Sequence, residues 1–88
     1  MLTGTGPVNT KPFIVSSSPW KLLFKAKSEG HFAVELRGPR IELVINQKVL
    51  ADQINETYIY NSKGSLYFHI QQVPENGDWT LWVIDNKL

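Results

Sequence analysis

Eighty-eight residues with a net charge of +1 and no cysteine allow one domain built around one core. Nine basic residues against eight acidic ones supply no long-range field for nucleic acid or acidic lipid. Without cysteine there is no disulfide framework, thiolate metal site or thiol nucleophile, and no apolar run approaches the ~20 residues of a membrane-spanning helix.

Residues 1–10 lack a basic region followed by an apolar stretch, so they do not read as a signal peptide. Their Gly, Thr, Pro and Asn content predicts a flexible linker, which leaves residues 11–88 as the folded domain. Gly4-Thr5-Gly6 is a fragment of a glycine-rich loop, but with no preceding strand or following helix it does not argue for phosphate binding. Residues 12–16 predict a short strand with Phe13 and Val15 on one face, broken by Ser16-Ser17-Ser18-Pro19. Residues 20–27 alternate Trp20, Leu22, Phe24 and Ala26 against Lys21, Leu23, Lys25 and Lys27. This is period two, with three lysines marking the wet face.

After Ser28-Glu29-Gly30, residues 31–37 turn Phe32, Val34 and Leu36 inward and Ala33 and Glu35 outward. Gly38-Pro39 turns the chain into residues 40–47, whose run Ile41-Glu42-Leu43-Val44-Ile45 suits a strand covered on both sides. Val49-Leu50-Ala51 suits a short edge strand. Residues 57–61 alternate Tyr58 and Tyr60 against Thr57 and Ile59. A turn at residues 61–64 leads to residues 65–73, with Leu66, Phe68 and Ile70 inward. Residues 74–77 turn again, with Gly77 suited to a positive φ. Residues 78–85 close the fold with Trp79, Leu81 and Val83 inward, and residues 86–88 form a frayed end.

About seven short antiparallel strands in so short a chain predict an all-β, single-domain antiparallel sandwich. A small barrel is the alternative, but an OB-type barrel carries a helix between its third and fourth strands, and residues 47–56 make a poor one.

Catalysis has little to stand on. His31 and His69 accompany no nucleophile-elbow pattern at any serine, and the carboxylates sit mostly in turns or at outward strand positions. No His-x-His or His-x3-His spacing points to a metal. Asp52, Asn55 and Glu56 share one loop but do not follow the calcium-loop pattern. No cofactor or metal is expected. Lys21, Lys25 and Lys27 line one strand face, yet lysine there also keeps an edge soluble, so no nucleic-acid partner is expected. Asn55-Glu56-Thr57 fits an N-glycosylation acceptor.

The alternation places Leu23, Ala33, Val44, Ile59, Tyr67, His69, Trp82 and Ile84 outward, less charge than a free wet face should hold. A contiguous apolar patch marks an interface, and Tyr and Trp are the residues that dominate such surfaces. Tyr67, His69 and Trp82 are therefore the candidate ligand-binding residues. The expected function is a non-catalytic binding or accessory module, not an enzyme, with a protein partner, self or heterologous. Carbohydrate is possible, and membrane insertion is not expected. A structural or oligomerising domain is the alternative.

Phe13, Trp20, Gly30-His31-Phe32-Ala33-Val34-Glu35-Leu36, Gly64-Ser65-Leu66-Tyr67-Phe68-His69-Ile70 and Trp79-Thr80-Leu81-Trp82-Val83 make up an ordered pattern of core and turn positions. Over residues 12–84 it resembles a loosely defined family of small prokaryotic all-β modules at the ends of lipoproteins and other envelope proteins. A more distant similarity is to the β-sandwich appended C-terminally to secreted peptidases. Those sandwiches tend to carry several aspartates in a central loop, where this chain has only Asp52. The resemblance implies an extracytoplasmic setting, in the envelope or secreted.

Overall fold

A computed structural model describes residues 1–85. Eight strands follow in chain order: β1 (Leu2–Thr5), β2 (Phe13–Val15), β3 (Trp20–Ala26), β4 (Gly30–Arg37), β5 (Ile41–Val49), β6 (Asn55–Ile59), β7 (Gly64–Gln72) and β8 (Asp78–Ile84). A single 3-10 turn, Pro74–Asn76, precedes β8. The strands form two four-stranded antiparallel sheets, β1-β8-β3-β6 and β2-β7-β4-β5, packed face to face. Neither sheet closes on itself, so the molecule is a sandwich and not a barrel.

The inward sets of β3, β4 and β7 are as the alternation requires. Trp20, Leu22, Phe24 and Ala26 meet Phe32, Val34, Leu36, Leu66, Phe68 and Ile70, all buried. Phe13 stacks on Phe68 at a centroid distance of 5.0 Å and meets Trp20 edge-on at 6.0 Å. Phe24 packs edge-on against Phe32 at 6.1 Å. The Trp20 indole N–H is not orphaned, because it donates to the Ser62 carbonyl at 2.8 Å. Burying such a side chain stabilises by about 1.5–3 kcal/mol, so a handful of these residues carries most of the core.

The structure corrects the reading of residues 1–10 as a linker. Leu2–Thr5 is an edge strand paired with β8, Leu2 opposite Leu81 and Gly4 opposite Trp79. The Trp79 ring lies against Gly4 so closely that a Cβ there would sit 2.5 Å from it. The Trp79 indole N–H donates to the Gly6 carbonyl at 3.0 Å. The glycine that lowers strand propensity is thus what lets the indole pack under the strand. The chain then crosses to the other sheet. Ile70 N donates to the Val8 carbonyl and Thr10 N to the Phe68 carbonyl, each at 2.9 Å, so residues 8–10 run beside β7 ahead of β2.

Further expectations change. Gly77 is extended at φ −89°, and the positive φ of that turn falls on Glu75 and Asn76. Residues 40–47 are not covered on both sides. They belong to β5, at the edge of the second sheet, with Ile41 66% and Leu43 50% exposed. Val49 ends this strand, and no separate strand forms at residues 49–51. Ile59, expected outward, is 2% exposed in the core. Ala33 and Val44, also expected outward, are buried and partly buried. Val34 pairs with Ile45 but Glu35 with Leu43, which makes Val44 the extra residue of a β-bulge and rolls it towards the core. Residues 86–88, expected as a frayed end, lie outside the described residues.

Candidate functional site

Trp82 stands on β8 of the first sheet, whereas Tyr67 and His69 stand on β7 of the second. Their neighbours Leu81 and Phe68 both point into the shared core. Trp82 and the Tyr67–His69 pair therefore face away from each other, on opposite outer surfaces. The three residues do not form one patch.

The second sheet's outer face sets a polar network beside exposed aliphatic side chains, with Leu43 opposite Glu35 and Ile41 opposite Arg37. The Arg37 guanidinium donates twice to one Glu35 oxygen, at 2.7 and 3.1 Å. Arg37 is the cross-strand neighbour of Tyr67, and Glu35 that of His69. Hydrogen bonding to Glu35 first, and to Tyr67 second, raises the Arg37 pKa above its already high ordinary value. The His69 Nδ1 lies 2.6 Å from the Asn9 side-chain oxygen. His31 is likewise engaged, its Nε2 2.6 Å from the Asn46 side-chain oxygen. Tyr67 and His69 are here members of a satisfied array, and the arm at residues 8–10 covers one flank of it.

The first sheet's outer face differs. Antiparallel register sets Trp82 directly opposite Leu23 on β3, and Leu23 opposite Glu56 on β6. The next outward row runs Ile84, Lys21, Tyr58. Tyr58 is 43% exposed and Tyr60, beyond the end of β6, 62%. Their rings lie 6.4 Å apart at 38°. The Lys21 ammonium sits 5.9 Å from the Tyr58 ring centre and 3.6 Å from a Glu56 oxygen. Lys25 stands opposite Thr80 and makes no ion pair among the described residues. The result is a flat surface of Trp82, Leu23, Ile84, Tyr58 and Tyr60 crossed by two lysines and one glutamate. Such a face offers apolar and cation–π contact to a partner.

The tyrosines of this face are not legible in the sequence by alternation alone, which sets Ile59 outward. Glu56 held the signal: a charge at that position marks its own side of β6 as wet, and Tyr58 and Tyr60 share that side.

Asp85 is a second residue the sequence did not announce. Its carboxylate accepts from Ser16 N at 3.0 Å, Ser16 Oγ at 2.9 Å and Ser17 Oγ at 2.7 Å. Those bonds, the Ser16 backbone N–H foremost, hold its pKa below the ordinary value. The triple serine is thus more than a turn: it ties the end of β8 in one sheet to the end of β2 in the other.

A groove of about 370 Å3 runs between β1 and residues 8–11, lined by Leu2, Gly4, Val8, Thr10 and Trp79 among others. It brings together no charged or nucleophilic cluster. Among the described residues no three His, Asp or Glu side chains are grouped to hold a metal ion. No protein-family model matches the chain, and no curated protein or solved structure matches it.

Proposed function

We propose that this chain is a non-catalytic binding module that engages a protein partner through the outer face of β1-β8-β3-β6, with Trp82 at its centre. The observation that carries the reading is the unbroken register from Trp82 through Leu23 and from Ile84 through Lys21 to Tyr58. It gathers an indole, a phenol and two aliphatic side chains on one solvent-facing surface. Tyr60 extends that surface beyond the end of β6. Trp and Tyr are the side chains that supply most binding energy at protein interfaces. Carbohydrate is the weaker ligand class, since sugar platforms favour coplanar rings and the Tyr58 and Tyr60 rings are tilted by 38°. The resemblance to envelope modules supports an extracytoplasmic setting.

The test is amide chemical-shift mapping with peptides selected from a random library on the folded domain. The proposal expects shifts concentrated on β8, β3 and β6. Shifts confined to β7 and β4 would move the binding face to the second sheet. Response to polysaccharides but to no peptide would replace the protein partner with a sugar.

A further inference from the structure

Each sheet ends in two edge strands, and three of the four edges carry devices that discourage pairing. The β5 edge has the Val44 bulge, Lys48, and Glu42 drawn towards the Ser62 hydroxyl at 3.3 Å. The β2 edge is three residues long and follows Lys11-Pro12. The β1 edge is four residues long and contains Gly4. Bulges, lysine, proline and brevity are the usual ways a sheet blunts its edges. The β6 edge has none of these, and its one charge, Glu56, is paired with Lys21 at 3.6 Å. Asn55-Glu56-Thr57-Tyr58-Ile59 contains no Lys, Pro or Gly and pairs with β3 without a register shift. In an antiparallel ladder, alternate residues turn both N–H and C=O away from their neighbour. Among the described residues, no loop backbone group reaches Asn55–Ile59 to meet them.

We propose that β6 is a self-pairing edge, and that two copies of this chain join antiparallel through it about Tyr58. The pattern of the strand selects both the occupant and the register. Placing Tyr58 opposite Tyr58 of the second copy sets Thr57 opposite Ile59 and Glu56 opposite Tyr60. Every outward residue then meets an outward residue, and every inward one an inward one. No like charges stand opposite each other. Aromatic and β-branched cross-strand pairs of this kind stabilise a ladder. Shifting the axis to Thr57 would keep the faces matched but set polar Asn55 against Ile59. The product is one continuous eight-stranded sheet with four tyrosines at its centre and a Trp82 on each side. The inference stands apart from the proposed binding role, because pairing uses the strand edge and leaves Trp82 free. A ladder of about five residues is short beside interfaces that bury about 1,200 Å2 or more, so the dimer is weak and concentration-dependent.

The experiment is sedimentation equilibrium of the full chain from micromolar to millimolar concentration, with Tyr58→Glu and Trp82→Ala alongside. In Tyr58→Glu the introduced carboxylate would still stand opposite Lys21, but two such carboxylates would meet at the axis. The wild type should rise from 10.0 kDa towards twice that mass, Trp82→Ala should do the same, and Tyr58→Glu should remain a monomer. High salt should restore part of its association. Hydrogen exchange on the wild type supplies a check that needs no variant, since β6 amides should gain protection as concentration rises. A wild type that stays monomeric with unprotected β6 amides overturns the proposal. So does a dimer that survives Tyr58→Glu, or one lost in Trp82→Ala alone.

Discussion

At the residue scale, the two clearest side-chain roles belong to tryptophans on opposite faces of one strand. Trp79 and Trp82 sit three residues apart on β8, so one points inward and the other outward. Trp79 fixes the N-terminal strand through Gly4 and Gly6. Gly4→Ala would drive a methyl group into the Trp79 ring, where the ideal Cβ lies 2.5 Å away. Overpacking of this kind costs about 1–3 kcal/mol, and urea denaturation should show the midpoint falling with the slope unchanged. Asp85 gives a prediction with a definite sign. Its pKa is lowered on folding, so its stabilising effect is present above its unfolded pKa. That effect is lost as pH falls through the folded value. Asp85→Asn should lower the melting temperature at neutral pH and flatten its decline on acidification. An unchanged acid limb in the variant would detach Asp85 from the pH response.

At the element scale, the strands that the sequence made legible are those with clean alternation and charge on one side. β3, with Lys21 and Lys25 opposite four buried apolar residues, is the clearest case, and β4 and β7 follow. Residues 1–10 were not legible as a strand. Local propensity favours a loop there, and only the distant Trp79 and the free edge of β8 make it ordered. β5 misled for the opposite reason: an apolar run suits a central strand, yet here it forms an edge with a bulge. Part of the candidate site was visible as Trp82. Tyr67 and His69 group with it in the sequence because alternation tells which residues point outward but not which sheet they point from. Deleting residues 1–5 should strip the cover from Trp79 and red-shift its fluorescence, with a lower melting temperature. A truncated chain that melts with the intact one would return the segment to a linker.

At the scale of the whole molecule, stability rests on one small core. A domain of this length is stable by about 5 kcal/mol. Phe68, which touches Phe13 of its own sheet and Trp20 of the opposite one, is a fair probe of it. Phe68→Ala should cost about 3–5 kcal/mol, enough to leave a large unfolded fraction at 25 °C by circular dichroism. The sandwich also explains why Tyr67, His69 and Trp82, all pointing outward, divide between two surfaces. One outer face carries the Arg37–Glu35 and His69–Asn9 pairs beside exposed Ile41 and Leu43. The other leaves Trp82, Leu23, Ile84 and Tyr58 to meet solvent or a partner.

The opposed positions of Trp82 and Tyr67 allow the direct test. Peptides selected on the wild-type domain would be titrated against Trp82→Ala and Tyr67→Ala, with folding verified for both. Trp82→Ala should lose about 2 kcal/mol or more, roughly thirtyfold in affinity, and Tyr67→Ala should lose none. The reverse order, or equal affinity across all three proteins, would contradict a binding face on the first sheet.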